Sequence, residues 1–198
     1  MGLLDALKEI LGITPVNFGE LNKQATHARP TPPRVVPRVD PLDGIEITDE
    51  YKTVIKLLES GFPIVFVSGK AGTGKSTLIH YIRHTFKKNV VVVAPTGVAA
   101  LNVKGTTIHS YFRLPPRIVT DEDIKPVKDR RLYTKLDLLI VDEISMVRAD
   151  LVDAMDKFLR LNGRYPNLPF GGTQLLFVGD LFQLPPVVTR SEESVLFA

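Results

Sequence analysis

The amino-acid sequence predicts an α/β fold in three layers, with a mainly parallel sheet between two layers of helices. Short apolar runs rich in β-branched residues or leucine are typical of strands that are buried on both faces. Four such runs occur, at Ile64–Ser68, Val90–Ala94, Leu138–Val141 and 175–178. Helices are predicted between them, notably over 75–88 and 149–161. Strands that alternate with helices favour a parallel sheet, whose ligands bind beyond the carboxyl ends of the strands.

Composition limits the classes of function. The 198 residues are enough for one domain and an appendage. Cysteine is absent, which excludes disulfides and thiolate metal sites, and four scattered histidines do not form a zinc site alone. No apolar run approaches the ~20 residues of a membrane span, and the first residues lack the pattern of a secretory signal. We therefore expect an intracellular protein, cytoplasmic and nucleoid-associated in a bacterium, or nuclear or organellar in a eukaryote.

Residues 1–45 differ in pattern from the rest and are predicted to form a separate N-terminal segment. Leucine and isoleucine recur at helical spacing over residues 3–11, which predicts a short amphipathic helix. That helix is expected to dock on the body of the protein or on a neighbour, and a membrane surface or a partner protein is the alternative. Five of the 15 prolines fall within 29–42 and predict an extended linker or strap. The globular domain is predicted over 46–198, with its first helix near 48–60.

A glycine-rich loop predicts a site for nucleotide phosphates. The segment GKAGTGKS satisfies the pattern G-x-x-x-x-G-K-S/T, directly after a predicted strand and at the start of a helix. Its glycines permit a tight turn whose N–H groups point at phosphate oxygens, and the helix adds its positive end. Lys75 is expected to bind the β- and γ-phosphates and Ser76 to coordinate Mg²⁺. The candidate ligands are Gly69, Lys70, Ala71, Gly72, Thr73, Gly74, Lys75 and Ser76.

An acidic pair, Asp142 and Glu143, ends one of the buried runs. Ionised carboxylates are costly to bury without a partner, and a Mg²⁺ ion held by Ser76 would supply one to Asp142. Glu143 is then expected to orient and deprotonate the attacking water, which indicates hydrolysis rather than transfer to a second substrate. The alternative is that the pair caps the helix that follows Ser145.

A third strand ends in Gly179 and Asp180, followed by the loop that contains Gln183. Three predicted strands therefore end in polar residues, and parallel strands place those ends at one edge of the sheet. Gln183 is expected to reach the γ-phosphate and to report whether it is present. A loop glutamine without function is equally compatible with the sequence.

Several sequence blocks in order resemble the Pif-type (petite integration frequency) DNA helicases, relatives of the RecD-like branch of helicase superfamily 1. Besides the phosphate loop, here extended to Thr77, they are APTGVAALN at 94–102, GTTIHS at 105–110, DEISM at 142–146 and GDLFQLPP at 179–186. The resemblance runs from about residue 47 to residue 189. It implies the RecA-like form of the P-loop NTPase fold. It also implies an ATP-driven motor that moves 5′ to 3′ on single-stranded DNA in repair, recombination or replication.

The resemblance also implies where DNA lies. By this match Thr96, Gly97, His109 and Ser110 contact the DNA backbone, as small polar groups do without reading sequence. Residues 104–135 carry eight Lys or Arg against four Asp or Glu, a local excess that the net charge of +3 conceals. A solvated surface is the alternative, and it is favoured for Arg130, Arg131 and Lys135. Tyr111 and Phe112 could stack on bases, but core packing is favoured for at least one of them.

Two departures from the family bear on function. Its members usually carry a glutamine that reads adenine where this chain has Tyr51, a residue that is still able to stack on a base. The second RecA-like domain, which supplies the arginine finger, is not within residues 46–198. We therefore expect this chain to bind nucleotide, to hydrolyse it slowly if at all, and not to unwind DNA alone. The alternatives are a non-catalytic module that binds single-stranded DNA or regulates a full-length partner, and a P-loop kinase or switch.

Overall fold

The computed structural model describes residues 44, 46–183 and 185–186. The helix predicted over 3–11 and the strap predicted over 29–42 lie outside these residues and stay predictions. The helices of the described part are α1 (Asp49–Glu59), α2 (Lys75–Thr85), α3 (Gly97–Asn102), α4 (Ile108–Phe112), α5 (Arg131–Thr134) and α6 (Ala149–Asn162). Its strands are β1 (Ile64–Ser68), β2 (Val90–Ala94), β3 (Thr106–Thr107), β4 (Leu138–Val141) and β5 (Gln174–Gly179).

The described strands form a single parallel sheet in the order β1-β5-β4-β2-β3. The predicted parallel sheet is therefore confirmed. Strands β1, β2 and β4 have the predicted bounds, and β5 is longer by one residue at each end. Strand β3 was not predicted, because two residues are too few to show a pattern of strand type. The order places the carboxyl ends of β1, β5 and β4 side by side.

Apolar side chains cover both faces of the sheet. On one face, Leu58 of α1 and Ile82 of α2 pack in the same cluster as Ile140 of β4. On the other face, Phe158 of α6 packs in a cluster with Leu139. All four residues of β4 are buried, which is why this strand appears in the sequence as an unbroken apolar run. Burying each such side chain fully contributes about 1.5–3 kcal/mol to folding.

The aromatic residues of α4 belong to the core. Tyr111 is 8% exposed and Phe112 is fully buried. The Tyr111 ring lies 4.9 Å from the Phe112 ring and 5.4 Å from the Tyr133 ring, measured between centroids. The Tyr133 hydroxyl donates to the Tyr111 carbonyl at 2.9 Å. The core packing favoured for at least one of these residues is therefore confirmed for both, and base stacking is wrong, because neither ring presents a free face.

The helix lengths differ little from those predicted. Helix α2 ends at Thr85 rather than at residue 88, because Phe86 takes an extended conformation with φ −71° and ψ 121°. Helix α6 ends one residue later than predicted, at Asn162. Within the described residues, no helix combines the length and the apolarity needed to cross a membrane.

Candidate nucleotide and nucleic-acid sites

The glycine-rich loop joins β1 to α2 at the carboxyl edge of the sheet. Gly72 and Gly74 have φ angles of +79° and +87°, in the left-handed region that favours glycine. The Thr73 hydroxyl donates to the Lys70 carbonyl at 2.9 Å, which closes the loop on itself. The Gly69 N–H donates to the Gly179 carbonyl at 3.2 Å and so ties the loop to β5. The predicted strand, loop and helix are therefore all present.

The side chain of Lys75 lies over this loop. Its Nζ donates to the carbonyls of Gly69 at 2.5 Å and Lys70 at 2.9 Å. A cation is thus held at the N-terminus of α2, where backbone N–H groups also favour negative charge. The Lys70 side chain itself is exposed. This arrangement has the chemistry of an anion site.

All three residues predicted for catalysis, and most of the predicted nucleotide ligands, line one cavity of about 340 Å³, which we call the nucleotide cavity. From the loop and α2 it includes Ala71, Gly72, Gly74, Lys75, Ser76 and Thr77. From the ends of β4 and β5 it includes Asp142, Glu143 and Gln183. The fold brings these residues together from separate segments because β1, β5 and β4 are adjacent parallel strands, so their carboxyl ends lie at the same edge of the sheet.

Ser76 and Asp142 offer a hydroxyl and a carboxylate oxygen to the nucleotide cavity, and oxygen is the ligand that Mg²⁺ prefers. Asp142 is 5% exposed. Burial raises the pKa of its carboxyl, and the Lys75 ammonium opposes part of that rise. In the described part of the chain, no group of three or more acidic or histidine side chains could hold a metal. This donor set fits Mg²⁺, which commonly binds through one or two carboxylates together with phosphates.

Glu143 combines a strained backbone with an unsatisfied side chain. Its φ of 51° and ψ of 43° lie in the left-handed region, which costs a residue with a Cβ about 1–2 kcal/mol. Its Oε2 atom is buried and has no hydrogen-bond partner among the described residues. The alternative that the acidic pair caps the following helix is wrong. Glu143 makes no side-chain cap bond to the short 3-10 helix at Ile144–Met146, and α6 has Arg148 at its N-cap.

The loop after β5 begins with a tight turn. The Asp180 carboxylate is buried and accepts from the Phe182 N–H at 3.0 Å, and the Asp180 carbonyl accepts from the Gln183 N–H at 3.1 Å. The Gln183 side chain is exposed and lines the nucleotide cavity with Lys75 and Glu143. This position is compatible with its predicted contact to a γ-phosphate, which stays a prediction.

A second space of about 360 Å³, the α1 cavity, lies between α1 and the loop. It is lined by Thr48, Glu50, Tyr51, Val54, Val67, Ser68, Gly69, Thr73, Lys75 and Leu78. Tyr51 is 8% exposed, and its hydroxyl donates to the Gly74 carbonyl at 2.6 Å. The role of Tyr51 as a nucleotide ligand stays a prediction. Sequence reasoning missed Thr48 and Glu50 here, because it used them only as a helix start.

Two of the residues predicted to contact DNA line a further cavity of about 250 Å³, beyond the ends of β2 and β4. We call it the β2–β4 cavity. It is lined by Pro95, Thr96, His109, Pro116, Arg117, Met146, Arg148 and Leu151. Gly97 begins α3 and is exposed, and Ser110 is exposed beside Thr107, whose hydroxyl donates to the Ser110 Oγ at 2.8 Å. Gly97 and Ser110 do not line this cavity.

The charges of the β2–β4 cavity were not predicted residue by residue. Arg148 forms an ion pair with Asp150 at 2.9 Å, and Arg117 forms one with Asp123 at 2.6 Å. Burial, and then the Arg148 guanidinium, lower the pKa of His109, which favours a neutral imidazole at pH 7. The local excess of positive charge in 104–135 was the available signal for Arg117, but Arg148 lies outside that stretch.

Three other basic residues of the stretch 104–135 lie at the surface, and two of them contact other parts of the protein. Arg130 donates to the carbonyls of Asn162 and Gly163 at the C-terminus of α6, where a cation is favoured. Arg131 pairs with Asp129 at the surface, and Lys135 is exposed. The solvated surface favoured for these residues is confirmed for Arg131 and Lys135. For Arg130 it is incomplete, because its guanidinium also satisfies carbonyls at the end of a helix.

The sequence of the chain is similar to those of a group of DNA helicases. The family model described as PIF1-like helicase matches residues 46–198. The ATP-dependent DNA helicase PIF1 of Saccharomyces cerevisiae is 39% identical over 176 residues, which cover 81% of this chain and 20% of the relative. The ATP-dependent DNA helicase Pif1 of a Psychrobacter species is 39% identical over 155 residues, which cover 72% of this chain and 22% of the relative.

Solved structures show the same likeness. The crystal structure of Pif1 helicase from Bacteroides in complex with ADP-AlF3 and ssDNA superposes with a TM-score of 0.71 at 42% identity. It covers 77% of this chain, which in turn covers 36% of that chain. The described α/β domain therefore has the RecA-like fold that the sequence predicts. The chain spans about a fifth of the length of these two curated relatives. On the family match and these identities, the chain belongs to the PIF1-like helicase family.

Proposed function

We propose that residues 46–198 are the ATP-binding and ATP-hydrolysing motor domain of a 5′–3′ DNA helicase that acts on single-stranded DNA in repair, recombination or replication. The observation that carries this proposal is the nucleotide cavity. It joins an anion-binding loop to a buried carboxylate, a strained glutamate and a loop glutamine. Two relatives support the proposal as well. The yeast protein is named an ATP-dependent DNA helicase, and the Bacteroides Pif1 helicase has been solved in complex with ADP-AlF3 and ssDNA.

Each residue of the nucleotide cavity has a distinct task in this reaction. The loop N–H groups and Lys75 bind the phosphates, and Ser76 and Asp142 hold Mg²⁺. When bound, that ion neutralises charge that develops on the phosphate oxygens. Glu143 accepts a proton from the attacking water, for which its unpartnered Oε2 is free within the described residues. Gln183 contacts the γ-phosphate from the loop after β5.

DNA is assigned to the β2–β4 cavity and its rim. Thr96, Gly97, His109 and Ser110 contact the sugar-phosphate backbone, and Arg117 and Arg148 supply positive charge beside Thr96 and His109. The two sites are linked by one short segment. Asp142 and Glu143 line the nucleotide cavity, and Met146 and Arg148, a few residues later, line the β2–β4 cavity. A shift of this segment on ATP binding would also move residues of the β2–β4 cavity, and so couple the binding of ATP to the binding of DNA.

A second RecA-like domain is the partner that this proposal requires. In it we place the arginine finger, the far wall of the nucleotide site and the rest of the DNA track. The residues described here supply the first wall alone, so hydrolysis is expected to be slow without that partner.

The test is steady-state ATP hydrolysis with and without single-stranded DNA, for the wild-type chain and for Lys75→Ala. Slow hydrolysis that DNA accelerates and that Lys75→Ala abolishes would support the proposal. DNA binding without any turnover, even when a second RecA-like domain from a relative is added, would indicate a non-catalytic module instead. A chain that binds Mg-ATP but not DNA would contradict the motor and favour a kinase or switch.

A further inference from the structure

Tyr51 lies at the junction between α1 and the phosphate loop. It occupies the first turn of α1, where its N–H donates to the Oγ of the N-cap residue Thr48 at 3.4 Å. The residue is 8% exposed and belongs to an apolar cluster with Leu78 of α2 and Val178 of β5. Its hydroxyl donates to the Gly74 carbonyl at 2.6 Å, across a sequence separation of 23 residues. A side chain of α1 thus reaches the backbone of the loop.

Gly74 is the residue at which the loop becomes a helix. Its carbonyl also accepts from the Leu78 N–H at 2.9 Å, so two donors from different elements converge on one oxygen. A Cβ atom at Gly74 would lie 2.4 Å from the Tyr51 hydroxyl, so the phenol is in close contact with this part of the backbone. The positive φ of Gly74 adds a second reason for glycine at this position.

The contact has a consequence for phosphate binding. A peptide unit is planar and trans, so its C=O and N–H point in opposite directions. A donor that fixes the Gly74 carbonyl therefore also fixes the direction of the Lys75 N–H, one of the donors at the N-terminus of α2. We propose that Tyr51 is a positioning residue, which orients the phosphate loop through the Gly74 carbonyl and strengthens the binding of the triphosphate whatever the base. This inference rests on the proposed nucleotide-binding function.

The contrasting role for Tyr51 is a contact with the base. The ring lines the α1 cavity, but it exposes little of either face, and its proton is already donated to Gly74. A base contact would make the contribution of Tyr51 depend on the base. A residue that orients the phosphate loop would contribute equally to the binding of every nucleotide, and even to the binding of a triphosphate that has no base.

The experiment compares wild type with Tyr51→Phe, which removes the hydroxyl and keeps the ring. Dissociation constants are measured for Mg-ATP, Mg-GTP and magnesium tripolyphosphate. We expect all three to rise by the same factor, about 2- to 12-fold, as the loss of one ordinary hydrogen bond produces. The ratio of the ATP and GTP constants should not change. A loss for ATP with unchanged tripolyphosphate binding would overturn the inference, as would no loss for any of the three.

Tyr133→Phe is the matched control. It removes another hydroxyl with a backbone carbonyl acceptor, at 2.9 Å from Tyr111, in the core on the other face of the sheet. We expect Tyr133→Phe to lower the melting temperature without changing the three dissociation constants. If it weakens binding as much as Tyr51→Phe does, the effect is one of general stability and the inference is wrong. If the wild-type chain binds none of the ligands, the proposed function itself fails, which is a different result.

Discussion

The nucleotide cavity and the β2–β4 cavity are both lined by the segment that follows strand β4, but they differ in how their charged side chains are paired. In the nucleotide cavity, Glu143 has a left-handed backbone and a buried Oε2 without a partner in the described part of the chain. In the β2–β4 cavity, Arg117 and Arg148 each pair with an aspartate. The Thr96 hydroxyl there accepts from the Ala99 N–H at 3.2 Å and so caps α3.

This difference indicates two kinds of site. Strain and unsatisfied groups persist only where the surrounding structure holds them, and they are typical of places where chemistry occurs. Arginines that are already paired with an opposite charge bind a phosphate only by exchanging that partner, so each contact adds little net free energy, whereas Lys75 exchanges neutral carbonyls for phosphate oxygens. We therefore expect tight, residue-critical binding and catalysis in the nucleotide cavity, and weaker, salt-dependent binding at the β2–β4 cavity.

The largest expected effect is that of Glu143→Gln on hydrolysis. The amide keeps the shape of the side chain but cannot accept the proton of the attacking water, so the rate should fall by about 10²- to 10⁴-fold. Phosphate release at saturating ATP measures the rate, and a binding titration should show that Mg-ATP still binds. Glu59→Gln, at an exposed position at the end of α1, is the control and should hydrolyse ATP as wild type does. An unchanged rate in Glu143→Gln would remove the distinction between the two cavities.

Lys75→Ala is expected to weaken Mg-ATP binding by roughly 10- to 100-fold, the range for loss of a hydrogen bond to a charged group. Isothermal titration with a non-hydrolysable ATP analogue measures the change. Lys56→Ala also removes one positive charge, from an exposed position on α1, and should leave the affinity unaltered. If the two variants lose the same affinity, net charge rather than the loop accounts for binding.

Arg117→Ala is expected to have a smaller effect, which falls on DNA. Losing one phosphate contact should weaken single-strand binding several-fold and flatten the slope of log affinity against log salt by about 0.7. Arg131→Ala provides a matched control, because Arg131 is also exposed and also pairs with an aspartate at 2.6 Å. Fluorescence anisotropy with a labelled oligonucleotide, at several salt concentrations, measures both quantities. Equal slopes for the two variants would exclude the β2–β4 cavity as a DNA site.

The smallest expected effect is a gain in stability from Asp142→Asn without magnesium or nucleotide. Burial raises the pKa of Asp142 in the folded protein, so ionisation opposes folding. The protonated carboxyl of Asp142 favours folding. This contribution to the free energy of unfolding is complete below the ordinary carboxyl pKa and is lost as the pH rises through the raised pKa of the folded protein. The neutral amide should therefore raise the melting temperature at pH 7, by about 2–4 °C for each kcal/mol that ionisation of Asp142 costs, while it weakens magnesium-dependent nucleotide binding. A lower melting temperature in calorimetry would contradict this assignment.

Most of the fold could be predicted from the sequence, because buried strands and the phosphate loop are recognised from patterns of consecutive residues. The unbroken apolar run of β4 and the GKAGTGKS loop are local patterns, and the parallel sheet then brings Asp142 and Gln183 to the loop. The left-handed Glu143 was not predictable, since no residue pattern there demands that conformation. The Tyr51 contact with Gly74 and the arginines of the β2–β4 cavity depend on how distant segments meet.

Coupling between the two cavities is the property that distinguishes one motor domain from two independent binding sites. It is tested most directly by the dissociation constant for labelled single-stranded DNA, with and without Mg²⁺ and a non-hydrolysable ATP analogue. Coupling through the segment 142–148 predicts that nucleotide changes this constant by about fivefold or more, and that DNA changes nucleotide affinity by the same factor. If both ligands bind and neither alters the affinity of the other, the two cavities are independent, which contradicts the proposed motor function.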